Sequence, residues 1–165
     1  RQFVSILKNS LKILSVVFIL IGTSSAFGWL MTYLNIPRVI ISSVIGVSDN
    51  PVVILIILNV IMLFLGTFMD MSSLILICTP ILLPIATSVG MHPIHFGVVM
   101  MLNLGIGLLT PPVGGTLFVG SAIGKISIEK LSVAMLPFYA VMIAVLLIIT
   151  YVPGLVMFLP TFFLK

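Results

Sequence analysis

The sequence predicts an all-α integral membrane protein, and three observations predict it. Hydrophobic residues make up 61% of the 165-residue chain and charged residues 6%, giving a mean hydropathy of +1.45, which a water-soluble domain of this size does not carry. The apolar residues fall into long runs suited to helices in lipid. The interruptions between the runs are rich in Gly and Pro, which end or unwind helices.

Seven Lys and Arg against three Asp and Glu give a net charge of +4, but these charges sit in short clusters with no basic face, so nucleic acid is excluded as a partner. The single cysteine, Cys78, lies inside the apolar run SLILICTPILLP. That placement excludes a disulfide framework and a cysteine metal cluster, and it reads as a small packing residue. The opening RQFVSILKNSLK lacks a signal-peptide cleavage pattern, and with Arg1 in first place the chain reads as the tail of a longer polypeptide.

The first spanning segment runs from Ile13 to Leu34, with Trp29 and Tyr33 near its far end as interface anchors. Next, IPRVIISSVIGVSDNP reads as an amphipathic helix along the interface, and Asp49-Asn50-Pro51 as a helix start. Two apolar arms follow, Asn50 to Leu65 and Leu74 to Val89, separated by GTFMDMSS. Arms of about 16 residues reach about 24 Å, short of the ~30 Å hydrocarbon core, so a re-entrant hairpin fits better than two full spans.

From Pro93 a helix runs to Leu109, where TPPVGG interrupts it before TLFVGSAIG resumes. Pro111 and Pro112 lack amide hydrogens and Gly114 and Gly115 open the backbone, so the helix is discontinuous. After KISIEK, Leu131 to Leu159 forms the last span, with kinks expected at Pro137 and Pro153. Arg1, Lys8 and Lys12 flank the first span, and Lys125 and Lys130 the last, which places both flanks in the cytoplasm. The charge rule does not separate a hairpin from two full spans.

Unwound chain at membrane depth is tolerated only inside protein or along a watery cavity. The breaks GTFMDMSS and TPPVGG are therefore the candidate site: half-helix C-termini offer partial negative charge there and N-termini partial positive charge, so a cation and an anionic solute share one pocket. Sodium, a hard cation, takes carbonyl and hydroxyl oxygens, and Gly66, Thr67, Thr110, Val113 and Thr116 offer both. The same residues also serve simply to cap and kink helices.

Asp70 is the one carboxylate flanked on both sides by membrane-length apolar sequence. It shapes the cation's field, takes a proton, or caps the second arm. Asn103, seven residues before Thr110, either lines the same cavity or makes an interhelical hydrogen bond. His92 and His95 read as solvated histidines at the membrane surface without chemistry.

An enzyme is disfavoured, because Asp70 has no facing aspartate and Ser121 with His95 fails as a nucleophile–base pair across the membrane. A channel and a purely structural subunit are the competing non-enzymatic readings.

The stretch GTFMDMSSLILICTPILLPIATSVGMHPIHFGVVMMLNLGIGLLTPPVGGTLFVGSAIG resembles the large membrane subunit, DctM type, of the tripartite ATP-independent periplasmic (TRAP) transporters. The resemblance rests on G-x-x-x-D at Gly66 to Asp70, the paired Pro80 and Pro84, P-x-x-F-G at Pro93 to Gly97 and L-T-P-P-V-G at Leu109 to Gly114. It implies an elevator-type transporter of two inverted repeats, of which this chain supplies the second, with sodium as coupling ion and no other cofactor.

Residues 1–49 then form a scaffold span and interfacial arm, 50–91 the re-entrant hairpin, 92–126 the broken helix and 127–165 the last scaffold span. The tip from Gly66 to Ser72 and the loop from Thr110 to Thr116, with Pro111 and Gly114, look like one sodium site and one wall of the solute pocket. The implied partners are a periplasmic solute-binding protein, a small four-helix membrane subunit (separate or fused), the remaining N-terminal half and the lipid of the bacterial inner membrane. The implied solutes are organic anions, with sialic acid (N-acetylneuraminate) the nearest in wording.

Overall fold

In the computed structural model the described residues are 2–35, 50–112 and 114–163. The expected interfacial arm helix, and Val113 among the site candidates, lie outside them. Seven helices are described: α1 (Gln2–Tyr33), α2 (Pro51–Gly66), α3 (Met71–Ser88), α4 (Pro93–Leu108), α5 (Gly115–Gly124), α6 (Ile128–Tyr151) and α7 (Pro153–Phe163). By length and composition α3 and α6 are able to cross a membrane.

Local chemistry sets where the helices start. Asn50 caps α2 by accepting from the Val52 amide at 2.9 Å, with Pro51 in the first turn. His92 Nδ1 does the same for α4 by accepting from Ile94 N at 3.2 Å, again with a proline behind it. In both cases the proline's fixed φ suits the first turn, where its missing amide costs nothing.

α2 and α3 form a helical hairpin and α4 packs against both. α4 also touches α5, α6 and α7, which makes it the hub, while α1 runs along α3. Core residues recur at helical spacing: Ile54, Leu58 and Met62 on α2, Leu74, Cys78 and Leu82 on α3, Phe96, Met100 and Leu104 on α4. Lipid is as apolar as these side chains, so close approach and polar bonds between helices carry the association.

The closest approach is glycine against glycine. A Cβ added at Gly107 would lie 2.5 Å from the Gly66 carbonyl carbon, so the α2 and α4 backbones touch there.

A chain of polar bonds runs through the core nearby. Asn103 Nδ2 donates to Asn59 Oδ1 at 2.6 Å and to Val99 O at 3.1 Å, Asn59 Nδ2 donates to Thr150 Oγ1 at 3.1 Å, and the Thr150 hydroxyl donates to Leu146 O. Asn103 is fully buried and its Oδ1 has no partner among the described residues. Of the two roles open to Asn103 in the sequence, the structure shows the interhelical bond.

The last span differs from expectation. α6 passes through Pro137 unbroken and stops at Tyr151, and Pro153 begins a separate helix. Pro153 has no amide to give to Ile149 O four residues earlier. His95 Nε2 supplies the missing donor at 2.8 Å. His95 is accordingly 3% exposed, not solvated, whereas His92 is exposed as its capping position requires. With Tyr151 Oη donating to Val52 O at 2.9 Å, residues 149–151 bind α6 to α2 and α4 in three consecutive steps.

Candidate functional site at the two helix breaks

The two interruptions meet. The hairpin turns through residues 67–70 and the broken helix through 109–114, and Gly114 N donates to Thr67 O across them in a long bond of 3.4 Å. A cleft of about 210 Å³ lies between, lined by Gly66 to Asp70, Leu108, Gly114 and Gly115. These residues are the ends of four helices: the C-termini of α2 and α4 and the N-termini of α3 and α5. Two partial negative and two partial positive ends thus face one small volume.

Asp70 caps α3, its Oδ2 accepting from Ser72 N at 3.0 Å and Ser73 N at 3.2 Å. Its Oδ1 has no hydrogen-bond partner among the described residues. The carboxylate therefore does a structural job with one oxygen and keeps the other for the cleft.

Leu108 contributes a carbonyl that the sequence reading overlooked. The residues three and four places on, which would cap it, are Pro111 and Pro112, and neither has an amide hydrogen. The peptide between those prolines is cis. Among the described residues this oxygen has no hydrogen-bond partner, and the spacing alone points to it, since the residue three before a Pro-Pro pair lacks both ordinary amide donors. Gly114 closes the turn at φ +30°, and a Cβ added there would lie 2.9 Å from Thr110 O and 3.3 Å from Leu108 O, so a side chain at this position meets both strain and carbonyl oxygen.

The threonines spend their hydrogens locally, Thr67 on Phe64 O and Thr110 on Ile106 O, each at 2.8 Å. Their oxygens keep lone pairs. Thr67 lines the small cleft, and both line a second, apolar cleft of about 500 Å³ between α2, α4 and α6. Ser72, Pro111 and Thr116 are exposed and line neither cleft. Asn103, in the core, lines neither as well.

Tyr139 of α6 was also missed, and no local signal marks it. Its hydroxyl donates to Leu109 O at 2.5 Å, satisfying an end carbonyl of α4. Tyr139→Phe is expected to cost about 1 kcal/mol, read as a lowered thermal midpoint in the purified full-length protein. An unchanged midpoint would mean that the bond adds nothing.

Comparison with known proteins shows the family of the chain. A family model described as "Tripartite ATP-independent periplasmic transporter, DctM component" matches residues 1–155. The chain is 49% identical over 158 residues to an uncharacterized protein, YgiK, of Salmonella typhimurium, covering 96% of this chain and 36% of that one. It is 46% identical over 144 residues to the isethionate TRAP transporter permease protein DctMQ of Oleidesulfovibrio alaskensis (87% and 23%). To the sialic acid TRAP transporter large permease protein SiaM of Vibrio cholerae it is 38% identical over 164 residues (99% and 38%). The chain thus spans between about a quarter and two-fifths of the length of these relatives. With its all-helical fold and nearly its whole length matched, the chain belongs to the DctM component family of the tripartite ATP-independent periplasmic transporters, a family of transporter permeases and not of enzymes.

Proposed function

We propose that the chain is part of the large membrane subunit of a sodium-coupled uptake system for a small organic anion. The observation that carries this reading is the meeting of four helix ends at one cleft, with the uncommitted Oδ1 of Asp70 beside them. Sodium would sit among the carbonyls of Gly66, Thr67 and Leu108 and the Asp70 carboxylate, oxygen donors that suit a hard cation. The solute's anionic group would face the N-termini of α3 and α5. Isethionate and sialic acid, named for two relatives, share an anionic head, and sialic acid is the first solute to test.

In this reading the chain is the second of two inverted repeats of an elevator-type permease in the bacterial inner membrane, with the hairpin re-entrant. Its partners are the first repeat, a small four-helix subunit and a periplasmic solute-binding protein. One assignment shifts: the bonds from Ile149, Thr150 and Tyr151 to α4 and α2 would all break if α6 stayed still while the hairpin moved. We therefore group α6 with the moving unit and not with a scaffold.

The test is uptake in proteoliposomes holding the full-length parent, its small subunit and its solute-binding protein, with and without a sodium gradient. Asp70→Asn keeps the cap, since Asn caps as well as Asp, and removes the charge. At 4 Å and an effective dielectric of 20 a unit charge is worth about 4 kcal/mol, so the sodium needed for half-maximal uptake is expected to rise at least about tenfold, equivalent to ~1.4 kcal/mol. Unaltered sodium dependence would leave Asp70 as a cap alone, and sodium-independent flux in the wild type would sink the coupling itself.

A further inference from the structure

α6 alone accounts for a full crossing. Its 24 residues extend about 36 Å against a hydrocarbon core of ~30 Å. Lys125, Glu129 and Lys130 hold its first turn at one surface. Its other end, at Tyr151, therefore reaches the opposite surface, and α7 begins there after the break at Val152.

α7 does not leave the fold, because it packs back on α4 and α6. Val156, Met157 and Pro160 are half-buried on that side. Leu155, Phe158, Leu159, Phe162 and Phe163 recur at positions i, i+3, i+4, i+7 and i+8, one helical stripe, and each is 61–73% exposed.

We infer that α7 is an interfacial helix on the face opposite the Lys125–Lys130 turn, its phenylalanine–leucine stripe embedded in the acyl chains just beneath the headgroups. Three properties select lipid over another protein segment as the occupant. The helix carries no charged side chain to pair with a partner. Its outward stripe has three Phe and two Leu where helix–helix contacts in membranes favour small residues that let backbones approach. Its starting point is already fixed at the interface by α6, and the His95 bond to Ile149 O holds the break that turns α7 aside. Interfacial helices of this kind bury their apolar face about 5–10 Å into the headgroup–acyl boundary. The charged face that such helices usually turn to water is unnecessary here because α4 and α6 cover part of the other side.

The experiment places a nitroxide on a cysteine introduced at Phe158 or Phe162, with Met157 as reference. The full-length parent, with Cys78→Ser and any further cysteines replaced, is reconstituted in phosphatidylethanolamine–phosphatidylglycerol vesicles. The labels at 158 and 162 are expected to collide more with oxygen than with a water-soluble nickel complex, at a ratio giving a depth of about 5–10 Å, while the label at 157 is shielded from both. Shielding at 158 and 162 from both reagents would mean that protein covers the stripe. A label at 162 about 6 Å deeper than one at 158, the rise of four helical residues, would mean that α7 continues as a span. Either result overturns the inference. Phe158→Trp, in a parent that keeps its cysteines, gives an independent readout: the added fluorescence is expected to be quenched most by lipids brominated near the headgroup, and strongest quenching by deep bromines would refute it.

Discussion

Replacing Gly107 with alanine is expected to part the hairpin from the broken helix. The added methyl would sit 2.5 Å from the Gly66 carbonyl carbon, 2.6 Å from its Cα and 2.9 Å from its oxygen, all backbone atoms with no rotamer to change. Overpacking in a core usually costs about 1–3 kcal/mol when side chains absorb it. Here the helices themselves must separate, so the cost is expected at or above the upper end of that range.

The loss should show twice in the full-length protein, as a large drop in thermal midpoint and as failed uptake, because the same crossing holds Leu108 and Thr67 at one cleft. Gly105→Ala is the control. A methyl there meets nothing within 4 Å and improves helix propensity. Equal behaviour of the two variants would remove the crossing from the account of the site.

The second large effect is expected at His95. A carbonyl only accepts, so Nε2 carries the proton given to Ile149 O. His95→Phe keeps a ring of similar size and leaves that carbonyl buried without a donor, which costs about 1–3 kcal/mol. Pro153→Ala in the same background returns an amide four residues after Ile149, so the double variant is expected to be more stable than His95→Phe alone, with a coupling of at least about 1 kcal/mol. Chemical unfolding of the four proteins in the cycle measures it. Simple addition of two losses would show that histidine and proline do not share the carbonyl.

That pairing also shows what the sequence could and could not convey. Asn50-Pro51, His92-Pro93 and the Thr110–Gly115 stretch act through their own backbone, and the helix starts and the break are where those residues place them. Pro137 and Pro153 look alike in sequence, yet α6 runs through the first and ends before the second. What accompanies the second is a histidine bonded to Ile149 O from 54 residues earlier in the chain, which no local pattern contains.

His95 was misplaced for the same reason, since its partner lies on a different helix. Of the site candidates, Gly66, Thr67, Asp70 and Gly114 line the small cleft and Thr110 the larger one. Leu108 was legible from the Pro-Pro spacing, Asn59 from being the one polar side chain within α2, and Tyr139 from nothing nearby.

Asn59 also has a history during synthesis. Its two side-chain partners are encoded 44 and 91 residues later, at Asn103 and Thr150. At 5–20 residues per second, α2 waits roughly 5–20 s for α6 to be made. Asn103 arrives about halfway through that interval and Thr150 at its end, and until then the amide is costly to expose to lipid. Full satisfaction of the Asn59 amide is therefore expected to follow the synthesis of α4 and then α6, which ties the packing of an early helix to later ones.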